Sequence, residues 1–255
     1  MSIELVLQIV TAVIVGLGAG YIGSLMVLRR MSLVGDALSH VALPGLAIAL
    51  LLGANPLWGA LGALSLAVVG IWYLQERTVL PTETIVGIFF TAALAVGLLL
   101  TPEHELLEAL FGDITSVTVG GIAISFVSVI LVSAIVSRIT RPLILDTISR
   151  DLAQANGVDT RTVNLLFLFT VAIVVGLGIK VTGTILTGAL VVIPAATARN
   201  LTSSLTRYTL IAALIGATSA VVGVVASAST GYPAGPLVIL AGGIAFLVSL
   251  LFRRP

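Results

Sequence analysis

Long apolar stretches follow one another along this chain, separated only by short polar or Gly/Pro-containing breaks. Hydrophobic residues make up 58% of the 255 residues, charged residues make up only 9%, and the mean hydropathy is +1.22. A soluble domain holds about 25% charged residues, whereas a helix that spans a bilayer needs about 20 predominantly apolar residues. The sequence therefore predicts an all-α polytopic membrane protein whose surroundings are a lipid bilayer.

The apolar runs predict eight or nine spanning helices. Their approximate limits are 5–28, 34–53, 56–74, 84–100, 118–137, 162–179, 183–198, 208–228 and 235–252. The run at 183–198 is short enough to be re-entrant, so it decides between the two counts. Because no repeat, low-complexity tract or linker divides the chain, we expect one domain over residues 1–255.

The distribution of basic residues predicts the orientation of these helices. Lysine and arginine are retained on the cytoplasmic side of a membrane. Placing the loop 138–161 in the cytoplasm puts every arginine on that side and leaves only Lys180 outside. The N-terminus is then expected outside and the C-terminus inside. The first run is long enough to span and no basic stretch precedes it, so we expect a mature helix rather than a cleaved signal peptide.

Asp36 and His40 lie inside the second predicted span, in the stretch SLVGDALSHVALPG. Their i, i+4 spacing places both side chains on one face of a helix. A charged residue at the bilayer centre costs at least about 2.5 kcal/mol and usually faces a bundle interior or a water-filled path. The pair is therefore a candidate site. A hydrated or arginine-paired Asp36 beside a packed His40 would explain the same residues without a function.

A carboxylate oxygen and an imidazole nitrogen together suit zinc or manganese. One aspartate and one histidine make half of a tetrahedral site. A second copy of the chain, with this helix at the twofold axis, would supply the other half. The same pair could serve a proton relay, so the residues by themselves leave metal transport and proton transfer both open.

The external loop TPEHELLEALFGDITS is acidic and holds the second histidine of the chain. His104 lies between Glu103 and Glu105, and the loop has no basic residue. One interpretation is a solvated loop histidine. The other is a weak capture or docking surface for a cation or for the protein that carries it.

The cytoplasmic loop RITRPLILDTISRDLAQANGVDTRTVN is the longest polar stretch in the chain. Apolar residues recur in it at helical spacing, which predicts one or two short amphipathic helices. These residues are Leu143, Ile144, Ile148, Leu152 and Ala155. Gly157 is placed to end the second helix, because glycine is favoured just after a helix C-terminus.

Several chemistries lack the residues that they need. The chain has no cysteine, so disulfides and thiolate metal ligands are excluded. It has no G-x-x-x-x-G-K-[ST] loop, and therefore cannot use ATP by itself through a P-loop. It also has no nucleophile elbow and no H-E-x-x-H motif. We expect no enzyme activity in this chain and no nucleic-acid partner.

Five stretches, in this order, resemble the permease subunits of bacterial ATP-binding-cassette importers for zinc, manganese and iron. They are GSLMVLRRMSLVGDALSHVALPGLA, LFGDITSVT, DLAQANGV, GTILTGALVVIPAATARN and YPAGPLVIL. The resemblance runs nearly from end to end. It implies a type II importer in a bacterial or archaeal cytoplasmic (inner) membrane. Such an importer has two copies of the multi-pass permease, two cytosolic ATP-binding subunits and an extracytoplasmic metal-binding protein.

The resemblance also implies roles for matched residues. Asp36 and His40 fall on the family's G-D-x-x-x-H signature, which resembles the metal-coordinating gate of the pathway. The segment from Asp151 to Gly157, with Leu152 and Ala155, falls on the coupling helix that docks into the ATPase. No permanently bound cofactor is implied, because the metal ion is the cargo.

The implied function is ATP-driven import of a divalent transition metal by alternating access. PAATARN, YPAGP and the aspartate of LFGD are more similar to the zinc branch, so zinc is the expected metal, with manganese or iron as the alternative. From the residues themselves, a proton-coupled secondary cation transporter and a non-transporting membrane protein are further alternatives.

Overall fold

The structure is a computed structural model that describes residues 2–101, 110, 114 and 117–252. Over these residues the chain is helical and contains no strand. The helices are α1 (Ile3–Leu28), α2 (Ser32–Leu51), α3 (Pro56–Arg77), α4 (Thr82–Leu100), α5 (Val119–Ile148), α6 (Arg150–Ala155), α7 (Thr160–Leu201), α8 (Leu205–Thr230) and α9 (Ala234–Leu250). The prediction of an all-α membrane protein is confirmed.

The number of helices agrees with the predicted eight or nine spans. Within the described ranges, seven helices are long and apolar enough to cross a bilayer. One of the seven is α7, which contains two antiparallel halves, and α9 adds a shorter apolar helix of 17 residues. Large apolar side chains on the outside of the bundle remain exposed, as expected for a surface that faces lipid. They include Leu99, Phe126, Leu214, Leu240 and Ile244.

Helix α7 reverses its direction at Gly183, where φ is 76°. The hydroxyl oxygens of Thr182 and Thr187 are 3.1 Å apart, and a Cβ built on Gly178 would lie 2.7 Å from Cγ2 of Thr187. In a straight helix, residues nine positions apart are separated by about 13.5 Å. Residues 160–182 (α7a) and 184–201 (α7b) therefore form a hairpin with no loop between them. The two runs predicted at 162–179 and 183–198 correspond to these halves.

Helix α5 extends farther than the fifth predicted run, which ended at 137. It continues to Ile148 and has 30 residues, or about 45 Å at 1.5 Å per residue. Ile139 and Leu143 are buried on the extension. Packing against the bundle therefore sustains the helix beyond its apolar run. As a result Asp146 reaches Arg29, which directly follows α1.

Glycines allow the helices to approach closely. Gly16 and Gly20 of α1 lie against Gly216 and Ala212 of α8, and Gly23 lies against Val191 of α7b. Gly45 of α2 lies against Gly59 of α3. Small residues let helix backbones come together in a bilayer, where lipid tails remove the hydrophobic drive for association. The glycine-rich first span, which has no strand before it, is a packing surface and not a nucleotide motif.

Gly20→Val should destabilise the folded protein, because the added side chain would collide with the backbone of Ala212 and Ala213. Overpacking of this kind costs about 1–3 kcal/mol. Gly62→Val is the matched control, since a Cβ on Gly62 meets nothing within 4 Å. Thermal unfolding in detergent followed by size-exclusion chromatography measures both variants. Equal melting temperatures for the two variants would contradict the close α1–α8 contact.

Candidate metal site

Helix α2 carries Asp36 and His40 on one face, one helical turn apart. Both side chains are half-buried, whereas Gly35, Ala37 and Ser39 around them are buried. Asp36 is the fifth residue of α2, so it lies about 6 Å along the axis from the start of the helix. The predicted placement of the pair on one face of one helix is confirmed by the geometry of α2.

Asp36 packs directly against α7b. A Cβ built on Gly188 would lie 2.6 Å from Cβ of Asp36 and 2.7 Å from its Oδ1. Real Cβ atoms do not approach this closely, so the residue at position 188 has to be glycine for α7b to lie here. The sequence contains this glycine in GTILTG, but nothing in its local pattern pairs it with Asp36 across 152 positions.

Ser39 joins α2 to the turn of the α7 hairpin. Its hydroxyl lies 2.6 Å from the carbonyl oxygen of Thr184 and 2.7 Å from the carbonyl oxygen of Asp36. Ser39 and Thr184 are both completely buried. A hydroxyl that bonds a carbonyl of a neighbouring helix fixes the position of that helix in the membrane. The hairpin turn is therefore held beside Asp36 and His40.

The His40 side chain contacts α4. Its ring packs edge-to-face on Phe90, with the ring centroids 5.2 Å apart and the planes at 71°. Its Nδ1 is buried and has no hydrogen-bond partner among the described residues, and the same holds for Oγ1 of Thr184. Buried polar atoms are nearly always hydrogen-bonded. These two atoms lie on adjoining elements, α2 and the first turn of α7b.

The described part of one chain contains no group of three or more His, Asp or Glu side chains arranged to hold a metal ion. Asp36 and His40 thus contribute one carboxylate and one imidazole per chain. Zinc takes four ligands in its closed sites. A single copy of these residues does not complete such a site.

The candidate coupling segment is a separate short helix, α6, which follows α5 after a break at Ser149. The Ser149 hydroxyl accepts a hydrogen bond from the Leu152 amide at 3.2 Å and caps the start of the helix, which the sequence analysis did not predict. Gly157 has a φ of 76° just after the end of the helix, as predicted. Asp151, Leu152, Ala155 and Gly157 are all exposed.

The predicted apolar face of this loop was partly wrong. Leu143 is buried on α5, but Leu152 is 46% exposed and Ala153 is buried in its place. The break at Ser149 ends the helical periodicity, so residues on its two sides do not share a face. Leu152 and Ala155 are consequently available to a partner.

The start of α7 is set by Asp159. Its carboxylate accepts hydrogen bonds from the amides of Arg161 and Thr162, and from the Thr162 hydroxyl. The bond from the Thr162 side chain is the main cause that lowers the pKa of Asp159 from its ordinary value. The capped start of α7 at Thr160 therefore marks the C-terminal limit of the candidate coupling segment.

Glu103, His104 and Glu105, the candidate external capture residues, lie outside the described residues.

The family model described as "ABC 3 transport family" matches residues 3–253. The chain belongs to this family. The manganese import system permease protein ScaB of Streptococcus gordonii is 34% identical over 245 residues, which cover 94% of this chain and 88% of that protein. The high-affinity zinc uptake system membrane protein ZnuB of Buchnera aphidicola is 29% identical over 238 residues, covering 91% of each.

A solved structure of PsaBC from Streptococcus pneumoniae in complex with Fab has the same fold. It superposes with a TM-score of 0.86 at 30% identity and covers 98% of this chain and 91% of that chain. The resemblance seen in the five sequence stretches is confirmed. This member of the ABC 3 transport family is a multi-pass permease of the cytoplasmic membrane from a metal-importing ATP-binding-cassette system.

Gly188→Ala should reduce metal uptake by the complete importer about tenfold or more. The added methyl group would displace Asp36, and misplacing a functional group by about 1 Å can cost 100-fold in rate. Uptake of radioactive zinc or manganese by cells, at matched membrane abundance, measures this effect. Gly243→Ala on α9, where a Cβ meets nothing within 4 Å, is the control and should retain native uptake. Native uptake by Gly188→Ala would argue against a functional α2–α7b contact.

Proposed function

We propose that residues 1–255 form one permease domain that works as a homodimer and imports a divalent transition metal, driven by ATP. The single observation that carries this proposal is the position of Asp36 and His40. They share one face of α2, and that face packs against the α7 hairpin turn instead of lipid. A carboxylate at membrane depth lowers the cost of bringing a divalent cation there.

The two side chains bind the cargo ion in this proposal. Asp36 supplies a carboxylate oxygen and His40 an imidazole nitrogen, which suit zinc and other first-row metals. A second copy of the chain, with α2 near the twofold axis, completes four ligands. The unpartnered Nδ1 of His40 and Oγ1 of Thr184 support a polar path at this point.

The transport cycle is alternating access. An extracytoplasmic metal-binding protein delivers the ion, and two cytosolic ATP-binding subunits open the inner side through α6. The exposed residues Asp151, Leu152, Ala155 and Gly157 form the docking surface for these subunits. Such a switch requires only that the helix bundle has two packing arrangements and that nucleotide binding changes their relative populations. The external residues Glu103, His104 and Glu105 act as a weak capture surface in the same proposal.

Zinc is the metal that we propose first, because PAATARN and YPAGP are more similar to the zinc branch. Manganese is the second candidate, since relatives at 34% and 31% identity are named for manganese import. An oxygen and nitrogen site generally binds zinc more tightly than manganese. The metal-binding protein can therefore also set the selectivity.

His40→Ala should abolish zinc-65 uptake by cells that express the complete importer, because half of the proposed ligands are lost from each chain. His104→Ala, which alters the other histidine of the chain, should lower uptake only at limiting zinc. Excess manganese as competitor distinguishes the two metals: uptake that resists it supports zinc, and uptake that it suppresses supports manganese.

If His40→Ala, at normal abundance, retains native uptake, then His40 serves only packing.

Liposomes that contain only this chain test the secondary-transporter alternative. Zinc entry driven by a pH gradient in those liposomes would contradict the ATP-driven importer, and no entry without the ATPase supports it.

Gly157→Leu should weaken binding of the ATP-binding subunit. The residue has a φ of 76°, a conformation that costs a non-glycine residue about 1–2 kcal/mol, so the end of α6 would shift. Co-purification of the ATPase and its hydrolysis rate measure the effect. Gly62→Leu, at an exposed position of α3 where a Cβ meets nothing within 4 Å, is the control. Unchanged association and hydrolysis in Gly157→Leu would remove α6 as the docking element.

A further inference from the structure

Charged and amide side chains meet at the cytoplasmic end of the bundle, around a cavity of about 420 Å³. They belong to the ends of α1, α3 and α5 and to the starts of α6 and α7. The residues that make the contacts are Arg29, Gln75, Glu76, Asp146, Arg150, Arg161 and Asn164. We call them the cytoplasmic network. It includes Arg150, the first residue of α6, but none of the proposed metal ligands and none of the four residues of the proposed docking surface.

Glu76, at the end of α3, holds both sides of the coupling segment. Its Oε1 accepts from Arg150 at 2.7 Å and its Oε2 forms an ion pair with Arg161 at 2.7 Å. Arg150 is the first residue of α6, and Arg161 is the second residue of α7. The Glu76 side chain is only 14% exposed, whereas the side chains of Arg150 and Arg161 are 52% and 67% exposed, so both pairs are open to solvent on the arginine side. A displacement of α6 therefore acts directly on α3.

Asp146, near the end of α5, forms the second connection. Its Oδ2 lies 2.7 Å from Nη2 of Arg29, and the two side chains are 10% and 13% exposed. Arg29 also donates to Asn164 of α7 at 3.1 Å, and Asn164 donates to Gln75 of α3 at 2.8 Å. The four helices α1, α3, α5 and α7 are thus joined at one depth by hydrogen bonds.

The connection from Arg29 to the metal site is short and stiff. Arg29 directly follows α1, and α2 begins at Ser32. The turn between them is closed by hydrogen bonds from the Arg30 amide to Val27 and from the Met31 amide to Met26, with Arg30 at a φ of 58°. Arg29 is seven positions before Asp36. A displacement of the backbone at Arg29 is therefore expected to displace the start of α2 as well.

The connection from Glu76 reaches the same helix. Helix α3, which ends at Arg77, packs on α2 where Gly45 meets Gly59. Both routes, through the α1–α2 turn and through α3, thus end on the helix that carries Asp36 and His40. Interfaces packed this closely move between discrete arrangements instead of deforming gradually.

We propose that Glu76 and Asp146 are positioning residues that transmit the movement of α6 to α2, so that ATP hydrolysis on the cytoplasmic side opens the metal site. This inference rests on the proposed function. It assigns a role to a cluster that contains neither the proposed metal ligands nor the four proposed docking residues, although Arg150 directly precedes one of the latter. Glu76 transmits through α3, and Asp146 transmits through Arg29 and the α1–α2 turn.

The test measures metal transported per ATP hydrolysed by the complete importer in proteoliposomes, with its binding protein and zinc or manganese. Glu76→Gln and Asp146→Asn should retain ATP hydrolysis within about twofold and lose at least tenfold in metal per ATP. Glu83→Gln is the matched control, since Glu83 is an exposed carboxylate in the first turn of α4 at the same end of the bundle. It should keep the native ratio.

Two further variants guard against loss of folding. Arg150→Gln removes only the α6 arm of Glu76, and its side chain is 52% exposed, so folding should be unaffected while the ratio falls. Exchange of the buried pair, Arg29→Asp with Asp146→Arg, restores the ion pair with reversed polarity and should recover at least part of the ratio that Asp146→Asn loses.

The outcomes distinguish failure of the proposed function from failure of the transmission role of Glu76 and Asp146. Native importer without ATP-dependent metal uptake would overturn the proposed function. The transmission role alone would be overturned if the native importer takes up metal and the ratio of metal transported to ATP hydrolysed is unchanged in Glu76→Gln, Asp146→Asn and Arg150→Gln. A parallel loss of hydrolysis and uptake, with reduced ATPase co-purification, would also overturn it, because the network would then serve assembly and not transmission.

Discussion

The contact between α2 and the turn of the α7 hairpin is the interaction on which the rest of this structure depends. Gly188 lets α7b lie against Asp36, and the Ser39 hydroxyl bonds the carbonyl of Thr184 across the two elements. A reversal of the chain inside a membrane must satisfy its own backbone polar groups, because no water is available to do so. Threonine hydroxyls at the turn do this: Thr187 donates to the carbonyl of Gly183 at 2.5 Å.

Close packing of small residues produces this contact and isolates it from lipid. Gly23 brings α1 against Val191 of α7b, and Gly45 meets Gly59 between α2 and α3, so α2 and the hairpin are enclosed by neighbouring helices. The Asp36 side chain then packs against Gly188 of α7b, while large apolar side chains cover the outside. This arrangement places two polar side chains, Asp36 and His40, within an apolar bundle.

Two regions of the bundle are held together by different forces. At membrane depth, backbone proximity and single hydroxyl bonds position Asp36 and His40. At the cytoplasmic end, ion pairs join the helix ends. Arg29 and Asp146 are only 13% and 10% exposed, so screening of that pair is weak, whereas Glu76, 14% exposed, pairs with the half-exposed Arg150. Helix α2 and its turn to α1 connect these regions, and a short helix, α6, remains exposed for a partner subunit. A displacement of α6 can reach Asp36 and His40 only through the helices that pack between them.

The sequence by itself determined the spanning runs, the Asp36/His40 face, the end of α6 at Gly157 and the family, because hydrophobic periodicity and short spacings are local properties. Only the tertiary structure decided that Gly188 and Thr184 adjoin Asp36 and Ser39, that Asp146 pairs with Arg29, and that Glu76 holds Arg150 and Arg161. It also decided that α5 continues past 137 and that Leu152 faces outward. Those contacts join residues from 74 to 152 positions apart. Their partners are chosen by how closely small residues let particular helices approach, which no local pattern encodes.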